Sequence, residues 1–285
     1  STIANLGLIT ACAGVGTPEA VWAATFLILF HAIAKSLLFL CVGTAEHHIG
    51  SRDIEDMDLL FDRMPSLARF MMLGIMTMFI APFGMLIAKW ATLQAFTEAG
   101  NVILVLLLAF GSAVTFMFWA KWMGKLAGIA GQSRNVELSV HTSEWIPIML
   151  MTVLIALGCV GLPLISLNLV EPYLYVVYGS LSFPISFDNL IIAGVAVILM
   201  IIVIFAGLGH STARKVDVYL AGVSVDNNNR TFKNSLSGVT QATARNWYMK
   251  DWLGEQRLDI FGTVACSVFI IALYVFAALF AAGLF

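Results

Sequence analysis

Phe30-His31-Ala32-Ile33-Ala34-Lys35-Ser36-Leu37-Leu38-Phe39-Leu40 is the stretch on which the reading of this chain turns. It lies inside an apolar run, Val21–Ala45, that is long enough to cross a bilayer, which takes about 20 mostly apolar residues at 1.5 Å rise. A cation in the middle of such a run costs roughly 2.5–3.5 kcal/mol on insertion scales, so it is usually there for a reason. His31 and Lys35 are four residues apart and share one helix face among apolar or small neighbours. Lys35 stands about 15 Å from the cytoplasmic end of the run at helical rise, deeper than a snorkelling side chain reaches. A neutral histidine within hydrogen-bond reach can accept a proton from a lysine and hand it on. The plainer reading is a buried His–Lys pair that only holds helices together.

The rest of the chain extends this picture. Of 285 residues 60% are hydrophobic and 11% charged, whereas a soluble domain carries about 25% charged residues. Besides Val21–Ala45, the runs Ser66–Ala91, Val102–Leu126, Ile146–Val170, Leu190–Leu208 and Ile260–Phe285 are long enough to span. They lack the period-two alternation of membrane strands. The fold class predicted is therefore all-α, a polytopic transmembrane helix bundle. Ser1–Val15 is too short to span alone and reads as the end of a cut helix; with Ser1 in place of Met, the chain reads as the remainder of a longer one. No basic region leads a short apolar stretch as in a signal peptide. The net charge of -2 gives no reason to expect nucleic acid as a partner.

Thirteen of the fifteen Lys and Arg residues sit in or beside three polar loops, leaving Lys35 and Lys89 inside apolar segments. Arg52, Arg63 and Arg69 mark the first loop, Lys121, Lys125 and Arg134 the second, and a third at 210–257 carries the remaining seven. The intervening connections, Gly16–Ala20, Thr92–Asn101 and Glu171–Asn189, hold no Lys or Arg. By the positive-inside rule the basic loops are cytoplasmic and the C-terminus lies on the outer side of an inner membrane. Thr17-Pro18-Glu19 reads as a helix start, with an N-cap, proline at the first helical position and an acidic first turn. Trp145, Trp247 and Trp252 fall near predicted interfaces. Ala242–Leu258 reads equally as an amphipathic surface helix or as a solvated loop anchored by its tryptophans.

Lys89 is the second buried cation, seven residues after Pro82 and five after Gly84. Proline removes a backbone donor and glycine adds freedom, so a broken helix is expected near Pro82. Broken spanning helices beside an ionisable residue are a common construction of transporter ion sites; the alternative is a simple kink with Lys89 reaching the outer surface. With Lys35 inner-to-middle and Lys89 middle-to-outer, the two form the exit half of a proton wire once water bridges them. Glu46, His47 and His48 end the second helix; an ordinary polar helix end is the plain reading, with proton uptake through Glu46 and His47 the functional one. Lys121 and Lys125 read as topology anchors. Cys12, Cys41, Cys159 and Cys266 lie far apart in apolar runs without a C-x-x-C pair, so neither a metal site nor a cofactor is expected in this chain. No nucleophile elbow, Walker loop or dinucleotide fingerprint is present, and no catalytic residue is expected.

The motif His31-x-x-x-Lys35-x-x-Leu38-Phe39-Leu40, preceded by Ser1-Thr2-Ile3-Ala4-Asn5-Leu6-Gly7, resembles the antiporter-like subunits of the complex I superfamily. Pro82-Phe83-Gly84 and Lys89 resemble that family's broken helix and its proton-path lysine, with differences in order and spacing. Asn5 stands where a glutamine is usual, and Leu27 where some members carry a further histidine. The resemblance implies an antiporter-like fold. Residues 1–130 would be the end of the second antiporter-like repeat and 131–285 the C-terminal helices with the cytoplasmic loop at 210–257. It also implies a proton-translocating, or sodium-coupled, subunit of a redox-driven complex of hydrogenase or NADH-quinone oxidoreductase type. The nearest branch by resemblance is the large membrane subunit of Ech-type energy-converting NiFe hydrogenases, on segments such as Val216–Gly222 and Arg245–Tyr248. In that case Lys35, His31 and Lys89 carry the proton, while iron–sulfur clusters and a Ni–Fe centre belong to other membrane and peripheral subunits. A stand-alone Mrp-type cation/proton antiporter subunit is the alternative, and an inert membrane anchor a third reading.

Overall fold

Thr17 accepts a hydrogen bond from the Ala20 amide at 3.3 Å, with Pro18 at the first turn, so the helix start read from sequence is where the chain reverses. In this computed structural model Gly16 ends α1 (Thr2–Val15) in the left-handed conformation at φ 69°, which a glycine adopts without strain, and α2 (Pro18–Ile49) then runs back for 32 residues. The structure describes residues 1–57, 60–80, 83–127, 135–179, 231–241 and 254–283, with a few further positions between 191 and 224. The predicted span Leu190–Leu208 and the stretch Ala242–Leu258 fall largely outside the described residues, as do Pro82 and Arg134.

After a 3₁₀ turn at Ile54–Met57 come a short α3 (Leu60–Arg63) and α4 (Pro65–Phe79). A distant loop closes the start of α4: the Glu137 carboxylate accepts the Leu67 amide at 2.8 Å, and the Val136 amide bonds the Arg63 carbonyl at 2.9 Å. The helix then breaks. Ile80 is extended at φ −104° and ψ 140°, Phe83 at φ −70° and ψ 145°, and α5 (Gly84–Glu98) begins with Gly84. The interruption expected near Pro82 is thus present between Phe79 and Gly84. Gly84 is required there by space: a Cβ at this position would enter the ring of Phe30 on α2.

Next come α6 (Val102–Ala127) and α7 (Thr142–Ile165). A single π-helical turn, Ser166–Val170, joins α7 to α8 (Glu171–Tyr178). Together Thr142–Tyr178 form one apolar rod of 37 residues, about 55 Å long at 1.5 Å rise. The sequence reading ended this helix at Val170 and put Glu171 in a loop. The rod runs past both, because Pro172 sits at the start of α8, where its missing amide costs nothing.

α2 is the hub: α1, α4, α5 and α7 all pack on it, and α6 closes against α4 and α5. The buried core of Phe26, Leu27, Phe30, Leu37, Met71 and Ile75 lies around this helix. On α6 an uncovered apolar stripe of Ile103, Leu106, Phe110, Val114 and Met117 follows helical spacing, as expected of a face presented to lipid. Among the described residues five helical stretches are long and apolar enough to cross a membrane, α4 and α5 together counting as one; the protein is a multi-pass helical membrane protein.

One element departs from an all-helical reading. Val223–Ser224, Thr231–Lys233 and Val239–Gln241 form a small antiparallel sheet, β1 to β3, within the polar loop. Its β2–β3 turn is held by Asn234, whose side-chain oxygen accepts the amides of Leu236 and Gly238 at 3.0 and 2.9 Å. The chain packs as two units, Ser1–Ala242 and Thr243–Phe285, the second containing α9 (Glu255–Ala281).

Candidate functional site

Lys89 stands on α5, one turn beyond the helix break, and lines a cavity of about 240 Å³ between α1, α5 and α6. The other polar groups on its wall are Asn5, Ser112 and Thr115; Leu104 and Leu108 supply apolar surface. Asn5, only 3% exposed, donates to the Ser1 carbonyl at 2.9 Å, and Thr115 donates to the Gly111 carbonyl at 2.6 Å. No carboxylate is among the lining residues. The arrangement is an amine in a chamber large enough for several waters, with neutral polar groups to orient them.

Lys35 is held differently. Its Nζ lies 5.0 Å from the ring centroid of Trp119 on α6 and 5.8 Å from that of Phe39, one turn along α2. Trp119 is 2% exposed and stacks on Trp122 at 5.6 Å. Aromatic faces give a cation about 0.5–2 kcal/mol of attraction. Neither Lys35 nor His31 lines the cavity of Lys89. The link between them is α6: Thr115 faces the cavity and Trp119, four residues on, faces Lys35, a rise of about 6 Å.

His31 is 7% exposed, and both of its ring nitrogens lack a hydrogen-bond partner within the protein. Buried polar atoms are nearly always paired, and these two nitrogens are among the exceptions. At the far end of α2, Glu46 is exposed, while His47 Nδ1 and His48 Nε2 approach the Glu144 carboxylate at 3.7 and 4.0 Å. Ser139 Oγ lies 3.1 Å from His48 Nδ1. Three side chains thus meet at this end, two from α2 and one from the first turn of α7. Among the described residues no group of three or more His, Cys, Asp or Glu side chains is arranged so as to hold a metal ion.

Sequence reasoning placed Lys35, His31 and Lys89 on packed helices but missed Trp119, Thr115 and Glu144. Trp119 and Thr115 are four apart on one face of α6, a signal available in the sequence, although nothing in it said which neighbour that face meets. Of the two lysines at the end of α6, Lys121 is exposed as an anchor should be, but Lys125 is 6% exposed and turned inward.

The family model of the NADH:quinone oxidoreductase/Mrp antiporter transmembrane region matches residues 1–117, which contain both lysines, the helix break and the cavity wall. Residues 1–117, fewer than half of the chain, are thus similar to the antiporter-like membrane region of that family. Relatives by sequence include the A/B component of a probable K(+)/H(+) antiporter of Rhizobium meliloti, 43% identical over 26% of this chain and 7% of its own length. The A1 component of a Na(+)/H(+) antiporter of Staphylococcus saprophyticus is 28% identical over 53% of this chain and 22% of its own. Formate hydrogenlyase subunit 3 of Escherichia coli is 28% identical over 56% of this chain and 29% of its own. The chain thus spans less than a third of the length of each of these relatives.

Proposed function

We propose that this chain is the proton-exit part of a cation/proton-translocating membrane subunit. Lys35 takes a proton from the preceding half of the wire, His31 relays it, and Lys89 passes it through its cavity toward the outer side. The observation that carries the reading is Lys89 in a largely apolar chamber whose other polar groups, Asn5, Ser112 and Thr115, are neutral, one helical turn along α6 from the aromatic seat of Lys35. Water in the chamber bridges the step, and the coupling is electrostatic, since charge on one lysine disfavours charge on the other. Glu46 and His47, with His48 and Glu144, are the uptake group at the opposite end. The basic loops are cytoplasmic in this reading, and the membrane is an inner membrane.

The complex we propose is redox-driven, of hydrogenase or NADH-quinone oxidoreductase type. The Ech-type branch is favoured by the segments Val216–Gly222 and Arg245–Tyr248, and it is in keeping with the likeness to a subunit of formate hydrogenlyase. Iron–sulfur clusters and a Ni–Fe centre then reside in partner subunits. A second reading, a stand-alone Mrp-type antiporter subunit exchanging sodium or potassium for protons, is favoured by the likeness to antiporter components. Gentle purification of the tagged natural protein with its partners, followed by mass spectrometry and metal assay, separates them. Iron and nickel support the hydrogenase type, iron alone a quinone-reducing relative. Hydrophobic partners without metal overturn the redox reading in favour of the antiporter.

A further inference from the structure

Glu171 is a carboxylate at the join of α7 and α8, 7% exposed within the rod Thr142–Tyr178. The Trp22 indole N–H donates to Ser166 Oγ at 2.8 Å, and Ser166 Oγ–H donates to Glu171 Oε1 at 2.8 Å. In an α-helix residues five apart diverge by about 140°, from 100° per residue. Here they meet because the intervening turn is π-helical: the Glu171 amide bonds the Ser166 carbonyl, five residues back. Pro163 stands inside the helix just before this turn and Pro172 just after it. Each removes an amide from the regular ladder, which lets the wider turn form.

Among the described residues no Lys, Arg or His lies within ion-pair distance of Glu171. The nearest charged side chain in sequence on the packed stretch of α2 is Glu19, on the first turn; α8 itself adds only Tyr173, Tyr175 and Tyr178. An ionised carboxylate buried without a cationic partner is costly, and the two groups that serve it are donors in series, ending on Oε1.

We propose that Glu171 is a proton-exchanging carboxylate at the α1–α2 end of the bundle, opposite the His47–His48–Glu144 cluster. In the ionised state Oε1 accepts the Ser166 hydroxyl; in the neutral state the proton sits on Oε2 while the Trp22–Ser166 chain stays in place. This group deepens the proton-exit reading and rests on it only for its place in transport, since its own protonation is observable without transport.

The test is infrared difference spectroscopy of the natural protein, with its partners, in lipid as bulk pH is stepped, alongside proton movement in vesicles. Glu171→Gln keeps size and the acceptor oxygen but cannot titrate. The expected result is a protonated-carboxyl band, absent in Glu171→Gln and displaced in Ser166→Ala, with proton movement several-fold slower in Glu171→Gln. A spectrum identical in natural protein and Glu171→Gln overturns the proposal, as does a carboxyl that keeps one protonation state at every pH. If Glu171→Gln fails to accumulate, Ser166→Ala decides, because an unshifted band there also overturns it. A titrating band displaced by sodium at constant pH assigns the site to sodium and overturns the proton assignment. A titrating Glu171 with undiminished proton movement retains the exchange site and removes it from the route.

Discussion

Lys35 and Lys89 are alike in sequence context and differ in surroundings: one is seated on Trp119 and Phe39, the other faces a chamber. That difference gives each a separate test. Replacing Trp119 with Leu keeps an apolar side chain but removes the aromatic face. In a double-mutant cycle with Lys35→Met, the coupling should be about 0.5–2 kcal/mol in unfolding free energy. Strict additivity would show that the stacking contributes nothing. Thr115→Val preserves shape and removes a hydroxyl from the chamber wall, so it should slow proton movement through Lys89 without lowering the amount of folded protein. Equal rates would mean that the chamber's polarity is idle. That both lysines fall inside apolar helices was legible in the sequence. Their partners were not, because periodicity reports which residues share a face and not what that face meets.

At the scale of elements, the helix break decides where Lys89 sits. Gly84 begins α5 with the Phe30 ring lying against its Cα, and Phe30 in turn stacks on Phe26 at 5.9 Å. Gly84→Ala should therefore destabilise the protein by about 1–3 kcal/mol, the usual cost of overpacking, measured by thermal unfolding in detergent. Shrinking the opposing ring with Phe30→Leu in the same chain should recover part of the loss. Failure of that rescue would place the strain in the backbone rather than in the contact. The break was foreseeable from Pro82 and Gly84, although Pro82 itself lies outside the described residues. The meeting of Ser166 and Glu171 was not foreseeable, since a π-turn shifts the register by one residue and leaves no periodic trace. Prolines at 163 and 172 were the available hint.

For the molecule as a whole, the apolar runs foretold the helices of the first unit, while the alternation of connections with and without Lys and Arg bears on orientation alone. Val102–Leu126 agrees with the predicted boundaries, α2 runs four residues past Ala45, and the rod Thr142–Tyr178 runs eight past Val170. The proposed orientation puts the β2–β3 turn in the cytoplasm. A cysteine introduced by Ser235→Cys, in a Cys266→Ser background, should react with a membrane-impermeant maleimide only when the inner face is open. Labelling from the outer face of intact cells would invert the topology and, with it, the direction of the proposed wire.

The most direct measurement is proton movement by the natural protein, reconstituted with its partners in lipid vesicles, comparing wild type with Lys89→Ala and Lys89→Arg. The exit route through the chamber predicts that Lys89→Ala stops net proton transfer while the partner reaction, if redox-driven, continues in part. Lys89→Arg, which keeps a charge but does not release it, should fail in the same way. Undiminished proton transfer in Lys89→Ala would contradict the account, leaving Lys89 as packing in a broken helix.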